Sequence, residues 1–378
     1  MQAITIIGSG LAGYTLAREI RKLDKEIPIR IITADNGVFY SKPMLSNALA
    51  KNQTAAQLAM NTAVEMAEKN NLQIVNNCHV EKIDSNNKNI ITSEGNYEYS
   101  NLVIATGANP IRIPVAGDGT DDILSVNSLD DYATFREQLG SKKSVAILGA
   151  GLIGCEFAND LAAAGFHIDL IDLADQPLGR LLPKQAAENL KQHLSELDIT
   201  WHLGCSLKQV NKSTSAYTLT LSDESILNTD LVLSAIGLRP NTGIAATANI
   251  DINRGIVVNH YMQSSNENIY AIGDCAEINA MVLPYVMPIM IGARALAQTL
   301  TGNKTFVEFP AMPVVVKTPA HPVVVCPPAP NAPGEWKEEV IGNGIKATFY
   351  NGNALLGFAL TGDAVSEKQA LTKQISNK

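Results

Sequence analysis

The chain has 378 residues, enough for two or three domains with cores of their own, and its 46% hydrophobic and 17% charged content is that of an ordinary globular protein. A net charge of −8 speaks against nucleic acid and against an anionic membrane surface, since both call for a basic stripe. The most apolar stretch, 281–293, contains Pro284 and Pro288 and is too short to span a bilayer. No secretory leader precedes the first strand, so a cytoplasmic setting is expected.

Residues 3–33 read as a βαβ unit: strand 3–7, helix 11–23 and strand 29–33. Its first turn is Gly8-Ser9-Gly10-Leu11-Ala12-Gly13. An apolar strand at 102–108 then runs into Ala105-Thr106-Gly107. Residues 144–172 repeat the βαβ unit, with strand 144–148, the turn Gly149-Ala150-Gly151-Leu152-Ile153-Gly154, helix 152–164 ended by Gly165, and strand 167–172. This unit too is followed by an apolar strand, 231–237, ending at Gly237. A further strand at 268–274 carries Gly273 and Asp274 at its end. From about residue 308 eight prolines break the chain into short pieces. Strands are expected there at 314–317, 323–325, 345–349 and 354–360, with a helix at 365–373.

One G-x-G-x-x-G is weak evidence; two in strand–turn–helix context are not. The first glycine makes a tight turn, the second lets backbone approach a pyrophosphate, and the third lets helix pack on strand. The helix N-terminus then offers unpaired N–H groups and a positive dipole end. Two such sites imply two dinucleotides, one resident and one visiting.

In the second unit Asp172 ends a strand 23 residues after Gly149, where a carboxylate accepts the adenosine ribose hydroxyls. No Arg or Lys occurs between it and Arg180 to welcome a 2′-phosphate, so NADH is expected over NADPH. Glu156 lies one turn into the following helix, on the side facing a bound nicotinamide. The first unit is less regular. Its strand end reads Thr33-Ala34-Asp35, with no acid at the usual place; Asp35 comes slightly late, and Thr33 or the backbone is the alternative ribose contact.

The succession of these motifs with Tyr40-Ser41-Lys42-Pro43-Met44-Leu45-Ser46, Gly237-Leu238-Arg239-Pro240-Asn241 and Ala271-Ile272-Gly273-Asp274-Cys275-Ala276 resembles the FAD-dependent pyridine nucleotide reductases. The likeness runs through essentially the whole chain, in order. Within that family, the length, Tyr285-Val286-Met287-Pro288, Ala293-Arg294-Ala295 and Met312-Pro313-Val314-Val315-Val316-Lys317-Thr318-Pro319 are similar to the rubredoxin reductases of bacterial alkane oxidation. The resemblance implies an α/β fold with two Rossmann-like, three-layer domains of the glutathione-reductase type and a small α+β C-terminal domain. FAD would occupy 1–110 with 240–305, NAD 111–239, and the last domain would be 306–378. It further implies tightly but non-covalently bound FAD with its pyrophosphate on Gly8 to Gly13. Val80 would meet the adenine through its backbone, Asp274 the ribitol, and Val286 and Lys317 the flavin ring. A lysine there would offset negative charge that develops on reduction. Lys42 and Glu156 are the pair expected at the reactive flavin face, as a buried ion pair.

The electrons need an acceptor. Cysteines 78, 155, 205, 275 and 326 form no C-x-x-C pair, which leaves out a zinc ribbon, an iron–sulfur ligand set and a redox dithiol, and no metal site is expected. Ser41-Lys42-Pro43 stands where some NADH oxidases and coenzyme A disulfide reductases carry a lone redox cysteine. Ala320-His321-Pro322 looks like the histidine–proline of disulfide reductases, yet no glutamate follows it, and His321 is expected to be a loop residue. The flavin then hands electrons directly outward. Rubredoxin is the implied partner, with a [2Fe–2S] ferredoxin or a flavorubredoxin next; oxygen as acceptor, or a redox-sensing module holding FAD and NADH, are the other readings. Rubredoxins are typically acidic, so a local basic patch is expected, with Arg294, Lys304 and Lys317 as candidates.

Overall fold

The first glycine turn grows out of a strand that has nowhere to lie but a core. In the computed structural model, which describes residues 2–375, Ala3–Ile7 is wholly buried. It pairs in parallel with Ile29–Ile32 on one side and Gly95–Ile104 on the other. Gln73–Val75 extends the sheet beyond Ile29–Ile32, and Ile269–Ala271 joins it along the last residues of Gly95–Ile104. Gly95–Ile104 serves two structures at once. Its first half pairs antiparallel with Asn89–Thr92, which pairs in turn with Val80–Asp84. Its second half enters the parallel sheet, through Tyr99 opposite Ala3 and then through the apolar run 102–104.

Helix Leu11–Leu23 presents Ala12, Tyr14, Leu16, Ala17 and Ile20 as a buried stripe and packs on helix Val286–Leu300. The 281–293 stretch thus resolves into a short strand, Met281–Val282, and the first half of the 15-residue helix Val286–Leu300. Pro288 sits in its first turn, where a missing N–H costs no intrahelical bond. No helix among the described residues is long and apolar enough to cross a membrane.

By its contacts the chain gathers into two compact units. One comprises Met1–Lys42, Ala56–Asn109 and Leu238–Phe309; the other comprises Pro43–Ala55, Pro110–Gly237 and Pro310–Lys378. Residues 43–55, expected with the first domain, group with the second unit, and the C-terminal segment groups there too. In that unit Ile199–Leu203, His167–Asp172, Ser144–Leu148 and Val232–Ser234 form a parallel sheet in that order. A separate antiparallel meander follows the order Leu207–Lys212, Tyr217–Leu221, Ile226–Thr229.

The C-terminal sheet has five strands, in the order Val314–Val316, Val323–Cys326, Ala354–Thr361, Gly344–Asn351 and Glu335–Ile341. The last is absent from the sequence expectation because its residues are mostly charged and half of them face water; Trp336, edge-on to Phe349 at 5.3 Å, holds it in place. The expected helix at 365–373 is a 3-10 turn, Gly362–Glu367, that passes into α-helix only at Lys368–Gln374.

His321 lies in a bend, as expected, but it is 1% exposed. Its ring stacks on His193 at 3.9 Å, and Nε2 lies 2.7 Å from Oδ1 of Asn189, which also accepts from Thr361 Oγ1. Asn189 and His193 belong to helix Lys184–Leu194, which packs on Gly344–Asn351 and Ala354–Thr361. Burial, helped by the neighbouring His193, pushes the His321 imidazole down to about 4, so it is a neutral packing element. The unfolded chain takes this proton near 6.5 and the folded one only near 4, so between those values the unfolded state binds more protons and stability falls as the pH drops. The loss across that window is on the order of 2–3 kcal/mol. His321→Gln is expected to be less stable than wild type at pH 7, with the gap closing on acidification. Urea unfolding midpoints of both proteins at several pH values check this; a gap of constant size would count against it.

Candidate dinucleotide sites

The two glycine turns have the same physical design. Gly8 and Gly149 adopt φ of +114° and +102°, and a Cβ on them would meet the carbonyl oxygens of Ala105 and Ala235 at 2.4 and 2.8 Å. A Cβ at Gly13 would meet Gly8 O at 2.0 Å, and one at Gly154 would meet Gly149 O at 1.7 Å. These four glycines let backbone pack on backbone. Gly10 and Gly151 are different, for a Cβ on either would meet nothing within 4 Å. Each is also the N-cap of its helix, with no side chain capping the first turn. An open approach ends on uncapped N–H groups in both places. That is the shape and the electrostatics a pyrophosphate requires.

The ends of the neighbouring strands differ. Asp172 is pinned by the amides of Ala150 and Ala174, which donate to its two oxygens. In the first unit Ser9 Oγ, Thr33 Oγ1 and Gly37 N all converge on Oδ1 of Asp35 at 2.8, 2.8 and 2.9 Å, and Ser9 and Thr33 bond each other at 3.0 Å. Asp35 comes late in sequence, yet the turn folds it back to the glycine loop, where it is hydrogen-bonded to both Ser9 and Thr33. Ala34 is exposed at the tip.

Gly273 brings the end of its strand against helix Leu11–Leu23, where a Cβ would meet that of Ala12 at 2.9 Å. Asp274 follows it. Burial raises the Asp274 carboxyl, and the charge of Lys42 works against that rise. Lys42 opens a 3-10 turn, Lys42–Asn47. Val286 is the first residue of its helix, and Val80 opens the antiparallel ribbon opposite Thr92. Thr106 and Gly107 clasp Asn241: Thr106 Oγ1 donates to Asn241 O, Asn241 Nδ2 to Thr106 O, and Asn241 N to Gly107 O. Gly237 accepts from Ile111 N at a turn.

Glu156 is 0% exposed. Lys317 Nζ and Ser46 Oγ meet its Oε2, and Lys317 N donates to Oε1 at 2.9 Å. Lys317 therefore spends its ammonium on Glu156, a contact its sequence position does not announce. Of the other basic candidates, Lys304 lies over the Tyr261 ring at 4.3 Å and Arg294 is exposed. One turn beyond Glu156, Asn159 and Asp160 are buried as well. Asn159 Oδ1 accepts from Ala320 N, and Asp160 accepts from the amides of Leu49 and Ala50. Three polar residues at i, i+3 and i+4 in an otherwise apolar helix were the available signal for Asn159 and Asp160; nothing in sequence marks Ser46.

All five cysteines are buried and unpaired. Burial raises the thiols of Cys155, Cys205, Cys275 and Cys326, disfavouring the thiolate an electron relay would need. A groove of about 1090 Å³, lined by Arg21, Arg30, Tyr97 and Glu98 among others, lies at the start of the parallel strands. In open parallel sheets ligands sit beyond the strand ends, so this groove is not the dinucleotide site.

Residues 2–298 match the family model of pyridine nucleotide-disulphide oxidoreductases, and residues 306–375 match that of a rubredoxin binding C-terminal domain. The chain belongs to the pyridine nucleotide-disulphide oxidoreductase family. It is 47% identical to a rubredoxin-NAD(+) reductase of Alcanivorax borkumensis, over 99% of both chains. It is 47% identical to one of Acinetobacter baylyi as well, over 98% of this chain and 97% of that one. Among solved structures a ferredoxin reductase from Rhodopseudomonas palustris has TM-score 0.89 and 25% identity, covering 100% of this chain and 96% of the other. FAD and NADH are the dinucleotides of this oxidoreductase family, and the two cradles fit two such molecules.

The glycine geometry separates binding from folding. Gly154→Ala forces a methyl group onto the Gly149 carbonyl and is expected to cost about 1–3 kcal/mol or more. Gly151→Ala has room for its methyl and is expected to cost less than about 1 kcal/mol, while raising the NADH concentration for half-saturation about tenfold or more. Thermal melts and NADH titrations of the two variants check the contrast, which equal melting losses would refute.

Proposed function

We propose that the chain is an NADH:rubredoxin oxidoreductase, carrying electrons from NADH through bound FAD to rubredoxin. What supports this most directly is the conjunction, in one chain, of two pyrophosphate cradles with a C-terminal segment that matches a rubredoxin-binding domain. When bound, FAD accepts a hydride and returns the electrons singly. The chain's residues supply the rest. Gly8, Ser9, Gly10, Leu11, Ala12 and Gly13 hold the FAD pyrophosphate, Asp35 with Thr33 and Ala34 the ribose, and Val80 the adenine. Asp274, beyond Ala105, Thr106, Gly107 and Gly273, faces the ribitol, and Val286 the ring. Gly149, Gly151, Leu152, Ile153 and Gly154 hold the NADH pyrophosphate, with Gly237 at the neighbouring turn and Asp172 taking the ribose. Lys42 and Glu156 serve the hydride step. Because Glu156 holds the Lys317 ammonium, that pair presents little net charge.

The domain division follows the same reading: 1–110 with 240–305 for FAD, 111–239 for NADH, and 306–378 for the acceptor. A cytoplasmic setting, with alkane hydroxylation as the consuming process, completes it and rests on the resemblance to rubredoxin reductases.

The deciding experiment is rapid mixing of FAD-loaded protein with NADH, then with oxidised rubredoxins and ferredoxins. Fast bleaching of the flavin followed by fast reoxidation by rubredoxin is expected. Reoxidation by oxygen alone would make it an oxidase, and bleaching slower than seconds would favour a sensor. Preference for NADH is expected to follow Asp172. Replacing it by Ala, together with Leu173→Arg at the exposed neighbouring position, should shift the NADPH/NADH ratio of kcat/KM by about tenfold or more, or about 1.4 kcal/mol. An unshifted ratio would refute the assignment of the second cradle.

A further inference from the structure

The segment after Lys42 starts as the 3-10 turn Lys42–Asn47, and side chains of two helices tie it down at successive points. Ser46 Oγ bonds Glu156 at 2.5 Å. Leu49 N and Ala50 N donate to the two oxygens of Asp160 at 2.8 and 3.2 Å. Gln53 O accepts from Tyr132 OH and Arg136 Nη1 at 3.0 and 2.7 Å, and Arg136 Nη2 reaches Asn52 Oδ1 at 3.0 Å. Residues 46–53 are thus a strap laid over helices Leu129–Leu139 and Leu152–Ala163. Two of its three anchor points sit on the helix that begins at the second glycine cradle, one turn apart, at Glu156 and Asp160.

Asp160 is 4% exposed, and burial raises its carboxyl despite its two backbone donors and the nearby charge of Lys51. An apolar residue of like volume would leave the Leu49 and Ala50 amides without this acceptor. A carboxylate does what no apolar group can: it fixes two consecutive backbone amides from one point.

We propose that Asp160 is a positioning residue for hydride delivery, pinning the strap so that Ser46 stays on Glu156 and the Lys42-Pro43 segment keeps its place. This rests on the reading of Lys42 and Glu156 as the groups serving the hydride step. Asp160 touches neither dinucleotide on this account. Its removal loosens the strap and degrades the alignment of the reacting groups, where displacements near 1 Å can cost on the order of a hundredfold in rate.

The test uses the FAD-loaded full chain, with Asp160→Asn, which retains one acceptor oxygen, and Asp160→Ala, which retains none. Flavin bleaching by NADH without oxygen gives the limiting rate and the half-saturating NADH, and trypsin reports the strap through the bond after Lys51. The limiting rate is expected to fall about threefold to tenfold in Asp160→Asn and further in Asp160→Ala, with half-saturation changed less than about twofold. Cleavage after Lys51 is expected to quicken in the same order, because proteolysis follows local opening. Should Asp160→Ala not fold, Asp160→Asn alone carries the test. An unchanged limiting rate, a rate loss matched by weaker NADH binding, or a strap as resistant as wild type would each overturn the proposal. A wild-type protein that NADH fails to bleach would instead sink the functional reading itself.

Discussion

Carbonyl oxygens sit where side chains would otherwise be at the two turns that open this protein's dinucleotide sites. At residue 154 a methyl group would stand 1.7 Å from the Gly149 oxygen, and at residue 13 the corresponding distance to Gly8 is 2.0 Å. Only a hydrogen substituent lets each helix start so close to its strand. That closeness aims the uncapped first turn past Gly10 and Gly151, whose own faces are open. The constraint suits a doubly charged pyrophosphate, because backbone amides and the helix dipole are presented on an open face.

The helix that starts at the second cradle also organises its own unit. Its polar residues Glu156, Asn159 and Asp160 are buried along one side and take bonds from 46–50 and from 317–320, two segments far apart in sequence. An ionised Glu156 without partners would be prohibitive at zero exposure. Ser46, the Lys317 amide and the Lys317 ammonium together make it tolerable. The same bonds hold the C-terminal segment on this helix, and the His321–Asn189–Thr361 network secures the C-terminal sheet to helix Lys184–Leu194.

The chemistry left to such a chain is constrained by its sulfur. The five thiols are buried and unpaired, and burial raises four of them, which works against a thiol–disulfide relay. Electrons arriving as a hydride have to leave through an outside acceptor, which accords with a C-terminal segment matching a rubredoxin-binding domain.

The parallel strands and both glycine turns were legible because they depend on local facts: a run of β-branched residues, a turn that tolerates only glycine, an apolar helical stripe. The place of Asp172 at the end of its strand was legible for the same reason, at a fixed spacing from the glycine turn. What sequence could not determine are contacts whose partners lie far along the chain. Asp35 belongs with Ser9 and Thr33 only because the turn curls it back. Lys317 belongs to Glu156, 161 residues away, and a bend places His321 in the interior rather than at the surface. Strand 335–341 escaped notice because its charged residues become a strand only when a neighbour supplies the ladder. Local conformation is written in local spacing; the partners of a buried charge are chosen by the tertiary fold, since only there does desolvation force each charge to find one.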